Sequence, residues 1–247
     1  MAPVAQIKDW IRSRGGLAVG IGVLKGGTGK STSTLYLALW FARTLGMRVV
    51  IVDTDFNSQT LATWVAIRDA LGEKVPFALV EHNVNDQKGP TLEKRIKELK
   101  ADYDVVLVDL GGGDKEAFTD LCIQGDLLLM PSAPSGWETV RIQATLQTAA
   151  RAARLNENGL GVHYFFVACK FATSLPEEQR AILATDLSER DPDFIPVPFV
   201  HPYFDVSGRT HYTRAWEETP TLSDLDEFSH LVRHVLREAI KEEEQAA

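Results

Sequence analysis

Cysteine is scarce in this chain, with only Cys122 and Cys169 among 247 residues. The two lie far apart beside apolar residues and lack metal-ligand spacing, so buried free thiols are expected. No apolar run approaches the ~20 residues needed to cross a bilayer. The first fourteen residues carry Lys8, Asp9, Arg12 and Arg14 and lack a signal-peptide core, which predicts a cytoplasmic address. Positive charge is also short: the formal net charge is −8, a weak argument against nucleic acid. From Trp216 to Ala247, however, nine acids face three bases, so most of the excess sits in the tail. The remainder is nearly neutral and leaves room for a local basic face.

What is present is ordinary globular composition, 45% hydrophobic and 24% charged. Apolar runs alternate with helical patterns. Strands are predicted over Leu17–Leu24, Arg48–Asp53, Pro76–Val80, Asp104–Asp109, Asp126–Pro131, His163–Cys169 and Pro196–Val200. Both pleat faces of these runs are apolar, as in a covered parallel sheet. Helical stretches between them include Ser31–Leu45, Leu92–Leu99, Glu138–Leu155 and Glu177–Leu187. This series predicts an α/β fold, a single doubly wound, mostly parallel sheet with helices on both faces and ligands at the carboxyl strand ends. No linker or repeat divides it, so residues 1–247 are read as one domain. It has an extension over residues 1–16 and a last helix with an acidic tail over 222–247. Ile7, Trp10 and Ile11 give the extension an apolar stripe. Leu225, Phe228, Leu231, Val232, Val235, Leu236 and Ile240 give the last helix another. Both are expected to pack against the sheet. A membrane-binding helix would carry Lys and Arg beside the stripe, whereas this one ends Lys241-Glu242-Glu243-Glu244-Gln245. No membrane partner is expected.

The decisive segment is Leu24-Lys25-Gly26-Gly27-Thr28-Gly29-Lys30-Ser31-Thr32, between a predicted strand and a predicted helix. Glycines let backbone N–H groups close on phosphate oxygens at a helix N-terminus. Gly26, Gly27, Thr28, Gly29, Lys30, Ser31 and Thr32 are therefore expected to cradle a nucleotide, ATP with Mg²⁺. Lys30 would reach the β- and γ-phosphates, and the Ser31 hydroxyl would ligate the metal. The generic P-loop has glycine where this chain has Leu24, so the match is to the deviant form. Lys25 has two readings on sequence alone. It is either a solvated surface lysine or a cation given in trans to a nucleotide held by a partner subunit.

Two acidic sites follow in order. Asp53-Thr54-Asp55 ends one apolar run and Asp109 ends another, Val105-Val106-Leu107-Val108. An Asp after an apolar strand is common as a helix N-cap, but two such sites after a P-loop point to Mg²⁺ and an attacking water. Asp109 and Asp53 are assigned to the metal with Ser31, and Asp55 is placed with Asp53 around the metal and the attacking water. Gly111-Gly112-Gly113 would let the backbone move with the γ-phosphate.

On these residues the chain resembles the ParA/MinD family of deviant-Walker ATPases over nearly its whole length. Lys25 stands at the family's signature lysine, and Asp53-Thr54-Asp55 looks like its second motif. Met130-Pro131-Ser132-Ala133-Pro134-Ser135, Trp64 with Arg68, and Arg209 to Ala215 with Tyr212 are similar to small ParF-like partition proteins. Phe56-Asn57 depart from the family's usual Pro-Gln, and Leu110 with three glycines from its usual Thr-Pro-Pro-like turn. The glycine-rich form resembles ParA-like proteins of conjugation systems.

The resemblance implies an ATP-dependent homodimer in which Lys25, Lys30 and Asp55 are catalytic. It also implies hydrolysis stimulated by an adaptor protein, and non-specific DNA binding that would make the protein nucleoid-associated. Lys170, Arg209 and Arg214 are the DNA candidates, with Arg151 and Arg154 as further options. The implied work is partition of a plasmid or chromosome. Alternatives are positioning of a protein or conjugation assembly and a MinD-like membrane cycle, which the acidic C-terminus opposes. An iron-protein reductase would need cluster-bridging cysteines, and a dethiobiotin-synthetase-like ligase would not need Lys25 in trans.

Overall fold

Each of the seven predicted apolar runs overlaps a strand, and the strands pair into one sheet in the order β3-β2-β4-β1-β5-β6-β7, every pair parallel. The strands are β1 Leu17–Ile21, β2 Val49–Asp53, β3 Ala78–Glu81, β4 Val105–Asp109, β5 Leu127–Ser132, β6 His163–Ala168 and β7 Phe199–Val200. This computed structural model describes residues 3–23, 29–55, 59–83, 86, 89–132, 145–152, 154–155, 163–168, 199–200 and 225–246. The predicted helix Glu177–Leu187 and the loop residues Lys25, Gly26, Gly27 and Thr28 lie outside them, as do Cys169, Lys170, Arg209 and Arg214. So does the Phe228 side chain.

Successive strand residues face opposite layers, and both layers are apolar. Leu17, Val19, Ile21, Val49, Ile51, Val105, Leu107, Leu127 and Leu129 face one core. It is closed by α1 (Val4–Ser13), α2 (Lys30–Leu39), α3 (Thr60–Ala70) and α6 (Asp226–Ala246). Ala18, Val50, Val52, Val106, Val108, Leu128 and Met130 face the other. That side is closed by α4 (Leu92–Asp102), α5 (Lys115–Gln124) and a helical stretch at 145–152. Helices thus cover both faces.

Both terminal appendages pack as expected. Ile7 and Ile11 of α1 and Leu231, Val232, Val235 and Leu236 of α6 are buried in the first core. The predicted helix Ser31–Leu45 is α-helical only to Leu39, and Trp40–Thr44 follows as a π turn. Among the described residues, no helix is long and apolar enough to cross a membrane.

Some strands begin one residue later than their apolar runs because the preceding Asp is used sideways. Before β5, the Asp126 Oδ2 accepts the Ala18 amide of β1 at 2.7 Å. Before β4, Asp104 accepts the Arg48 amide at 2.9 Å. Asp126 also takes Arg14 Nη2 at 2.8 Å and Lys100 Nζ at 2.9 Å. Arg14 continues to Glu243 of α6, which also accepts Trp10 Nε1 at 2.9 Å and lies 3.2 Å from the His163 ring. The other His163 nitrogen meets Glu242 at 2.6 Å. A matched set of acids and bases therefore ties α1, α4, β5, β6 and α6 together at the amino end of the sheet.

Candidate functional site

At the opposite end the chain changes direction. From β1 it crosses over β4 to β2, and later from β4 it crosses over β1 to β5, which opens a crevice at the carboxyl ends of β1 and β4. Parallel register sets Ile21 beside Asp109 and Asp109 beside Asp53, so three strands finish level around it.

Gly29 holds a left-handed backbone (φ 92°) and starts α2, a turn that suits glycine. Lys30 is the first residue of that helix and is buried. Burial pulls its ammonium below the ordinary lysine range, while the Asp109 and Asp55 carboxylates act to hold it charged. The Ser31 hydroxyl hydrogen-bonds the Asp109 carboxylate. Thr32 is half-buried on the same turn.

Asp109 is 1% exposed. Burial pushes its carboxyl up to about 7, and nearby Asp53 adds to this against the Ser31 and Thr34 hydroxyls and Lys30. Asp53 is raised to about 6, chiefly by burial, with Asp55 and Glu81 adding their charge. Its Oδ1 accepts the Asp55 amide at 2.9 Å, which fixes the turn carrying the second carboxylate. Two adjoining carboxyls raised by burial, Asp109 also by the charge of Asp53, form a donor set that a hard cation would relieve. Among the described residues, no three His, Cys, Asp or Glu side chains gather as a metal cage. Mg²⁺ held with phosphates needs none, because it takes one or two carboxylates and completes its shell with water and phosphate oxygens. The residues present fit such an ion.

Three further residues join the site without having been singled out. Thr34 stands one helical turn after Lys30 and donates to Asp109 Oδ1 at 3.2 Å, and its spacing of four from Lys30 was the available signal. Thr54 donates its hydroxyl to the Asp109 carbonyl at 3.1 Å and accepts the Gly111 amide at 2.9 Å, joining the β2 and β4 exits. A Cβ on Gly111 would come within 3.3 Å of the Thr54 carbonyl, so the first glycine of the triplet is one of close approach. His82 donates its amide to the Asp53 carbonyl at 2.9 Å.

The structure therefore brings Gly29, Lys30, Ser31, Asp53, Asp55 and Asp109 to one place. Trp64 and Arg68 lie elsewhere, buried on α3 with the guanidinium 5.6 Å over the indole. Arg151 and Arg154 are exposed, near the helical stretch at 145–152.

The family model for ATPase MipZ matches residues 18–137, the span that holds all of these carboxylates and Lys30. The protein ParA of Rhizobium radiobacter is 31% identical over 126 residues, 51% of this chain and 53% of that one. The ParA/MinD resemblance holds. The aligned region spans about half of that relative's length. Among solved structures, apo McdA of Cyanothece has a TM-score of 0.66 at 18% identity, covering 91% of this chain and 99% of that one. A putative plasmid partition protein of Borrelia burgdorferi bound to AMPPNP has 0.64 at 14%, covering 90% and 99%. These two share the fold, and the ParA/MinD likeness in sequence lies where the site lies.

Proposed function

We propose that this chain is a positioning ATPase that hydrolyses ATP with Mg²⁺. The observation that carries this reading is the convergence of Lys30, Ser31, Asp53, Asp55 and Asp109 at the turning point of the sheet, on the loop and strand ends of a ParA/MinD-like chain. Lys30 supplies the cation for the β- and γ-phosphates, and the amides at the start of α2 receive their oxygens. Ser31 and Asp109 would hold Mg²⁺ beside Asp53, and the bound ion would draw charge from the phosphate oxygens. Asp55, whose backbone N–H donates to the Asp53 carboxylate, orients the attacking water. The Borrelia protein bound to AMPPNP supports a nucleotide of this kind.

In this reading Lys25 reaches the nucleotide of a second copy, so that two chains close face to face on ATP. Cargo would be moved by ATP-dependent binding to DNA through Lys170, Arg209 and Arg214, released when an adaptor stimulates hydrolysis. A protein or conjugation assembly is the alternative cargo, supported by the glycine-rich segment after Asp109. The test is sedimentation with ATP in an Asp55→Ala background, with and without Lys25→Ala, followed by DNA titration across salt. A dimer that needs Lys25 and a DNA affinity that falls steeply with salt support the reading. A dimer indifferent to Lys25→Ala removes the trans role, and no duplex binding at low salt moves the cargo to protein.

A further inference from the structure

Just past the ladder that joins β2 to β4, one side chain bonds the two strand exits to each other. The Thr54 amide and hydroxyl both donate to the Asp109 carbonyl, at 3.0 and 3.1 Å, and so occupy both lone pairs of that oxygen. The same hydroxyl accepts the Gly111 amide at 2.9 Å. Thr54 is buried, so water competes little for these bonds. The backbones also meet closely here. A Cβ on Gly111 would lie 3.3 Å from the Thr54 carbonyl oxygen and 3.5 Å from the Asp55 Cα. The Asp55 backbone therefore rests against Gly111, while its own N–H is held by Asp53 Oδ1 at 2.9 Å.

The place of these residues in the chain gives the tie its meaning. Thr54 stands between Asp53 and Asp55, and Gly111 follows Asp109 by two residues. The segment that carries the carboxylate for the water is thus fastened to the segment that carries the carboxylate for the metal. Pairing of the strands does not need it, because Asp53 and Asp109 are already register partners in the ladder. The bonds do need a hydroxyl. Valine has nearly the same shape but neither donates nor accepts there, whereas serine does both.

We propose that Thr54 is a positioning residue for hydrolysis, fixing where Asp55 stands relative to Asp109 and so where the water is held. It acts through the two carboxylates and touches neither nucleotide nor water. The proposal rests on the ATPase reading above and adds to it the residue that sets its geometry.

The experiment compares Thr54→Val, Thr54→Ser and Gly111→Ala in the full chain. In nucleotide-free protein, the NMR resonance of the Gly111 amide proton should move upfield in Thr54→Val and hold its place in Thr54→Ser, as a lost and a kept hydrogen bond require. With Mg²⁺, affinity for AMPPNP should stay within about twofold of wild type in all three, as for an interaction that matters only in the transition state. Single-turnover ATP hydrolysis should slow by roughly 10- to 100-fold in Thr54→Val and Gly111→Ala, the scale of a misplaced reacting group, and recover in Thr54→Ser. The double variant Thr54→Val with Gly111→Ala should be no slower than the slower single one, because both break the same tie. If Thr54→Val does not fold, Gly111→Ala against wild type carries the same test. A wild-type rate in Thr54→Val, an unmoved Gly111 resonance, or an affinity loss as large as the rate loss overturns the positioning role and leaves the ATPase reading standing. A wild-type chain that neither binds nor hydrolyses ATP overturns both.

Discussion

The two ends of the sheet treat charge in opposite ways. At the amino end, Asp126 and Glu243 are met by Arg14, Lys100, Trp10 and His163, each within hydrogen-bond reach. At the carboxyl end, Asp53 and Asp109 adjoin each other with Lys30 close by and are pushed upward by burial. The first arrangement is complete in itself and holds elements together. The second is unbalanced, and in the proposed function Mg²⁺ with phosphates offsets it. The difference separates carboxylates kept for the fold from carboxylates kept for a ligand.

Removing the buried cation at the carboxyl end should have the largest effect. Lys30→Ala is expected to lose measurable ATP binding in a titration while the thermal transition survives, and unchanged affinity would take the phosphate site away. Next comes Asp55→Ala, expected to bind ATP but slow single-turnover hydrolysis by ~10²–10⁴, the usual scale for a lost base or positioning group. A wild-type rate would pass the role to Asp53.

The amino end is broken by Asp126→Ala, which leaves Arg14 and Lys100 facing each other without their acid. Denaturant unfolding should show a loss of about 3–5 kcal/mol, the scale for removing one partner of a buried pair. Asp109→Asn should move stability the other way in the absence of nucleotide, since it removes a buried charge repelled by Asp53. A stability loss as large as that of Asp126→Ala would erase the contrast between the ends.

Acidity gives the smallest and sharpest comparison. Asp109 and Asp53 titrate near 7 and 6 when folded, above the ordinary 3.8. The folded chain therefore binds their protons more tightly than the unfolded chain does. Without nucleotide, their contribution to stability should fall as pH rises from about 4 to about 7, and Asp109→Asn should flatten that slope. Glu243 behaves oppositely. Burial alone would raise it, but Trp10, His163 and Arg14 hold it below 4.5. Its contribution is present above 4.5 and lost as pH falls through its lowered folded value. Unfolding curves across pH in wild type, Asp109→Asn and Glu243→Gln check both signs.

How far the sequence could be read follows the same division. The strands, the helix after the glycine loop and the three carboxylates were legible because each depends on local pattern: an apolar run, its end, and the residue just beyond. The π turn at Trp40–Thr44 was not, since its periodicity over five residues cannot be told from that of an α-helix. The amino-end set was invisible because its partners are remote in the chain. Trp10 bonds to Glu243, and the acidic tail that reads as a solvated run puts Glu242 and Glu243 against His163. His82 carried no motif, and its place beside Asp53 arises only when β3 pairs with β2.

The Thr54 hydroxyl has a consequence for measurement. Because it takes the Gly111 amide at 2.9 Å while giving its own proton to the Asp109 carbonyl, the Gly111 N–H cannot meet water unless the two strand exits part. Its deuterium uptake is thus a clock for that parting. The Ala18 amide, bonded to the Asp126 side chain, keeps time for the other end of the same sheet. A ligand that slows the first clock and leaves the second alone has closed the crevice without stiffening the whole molecule.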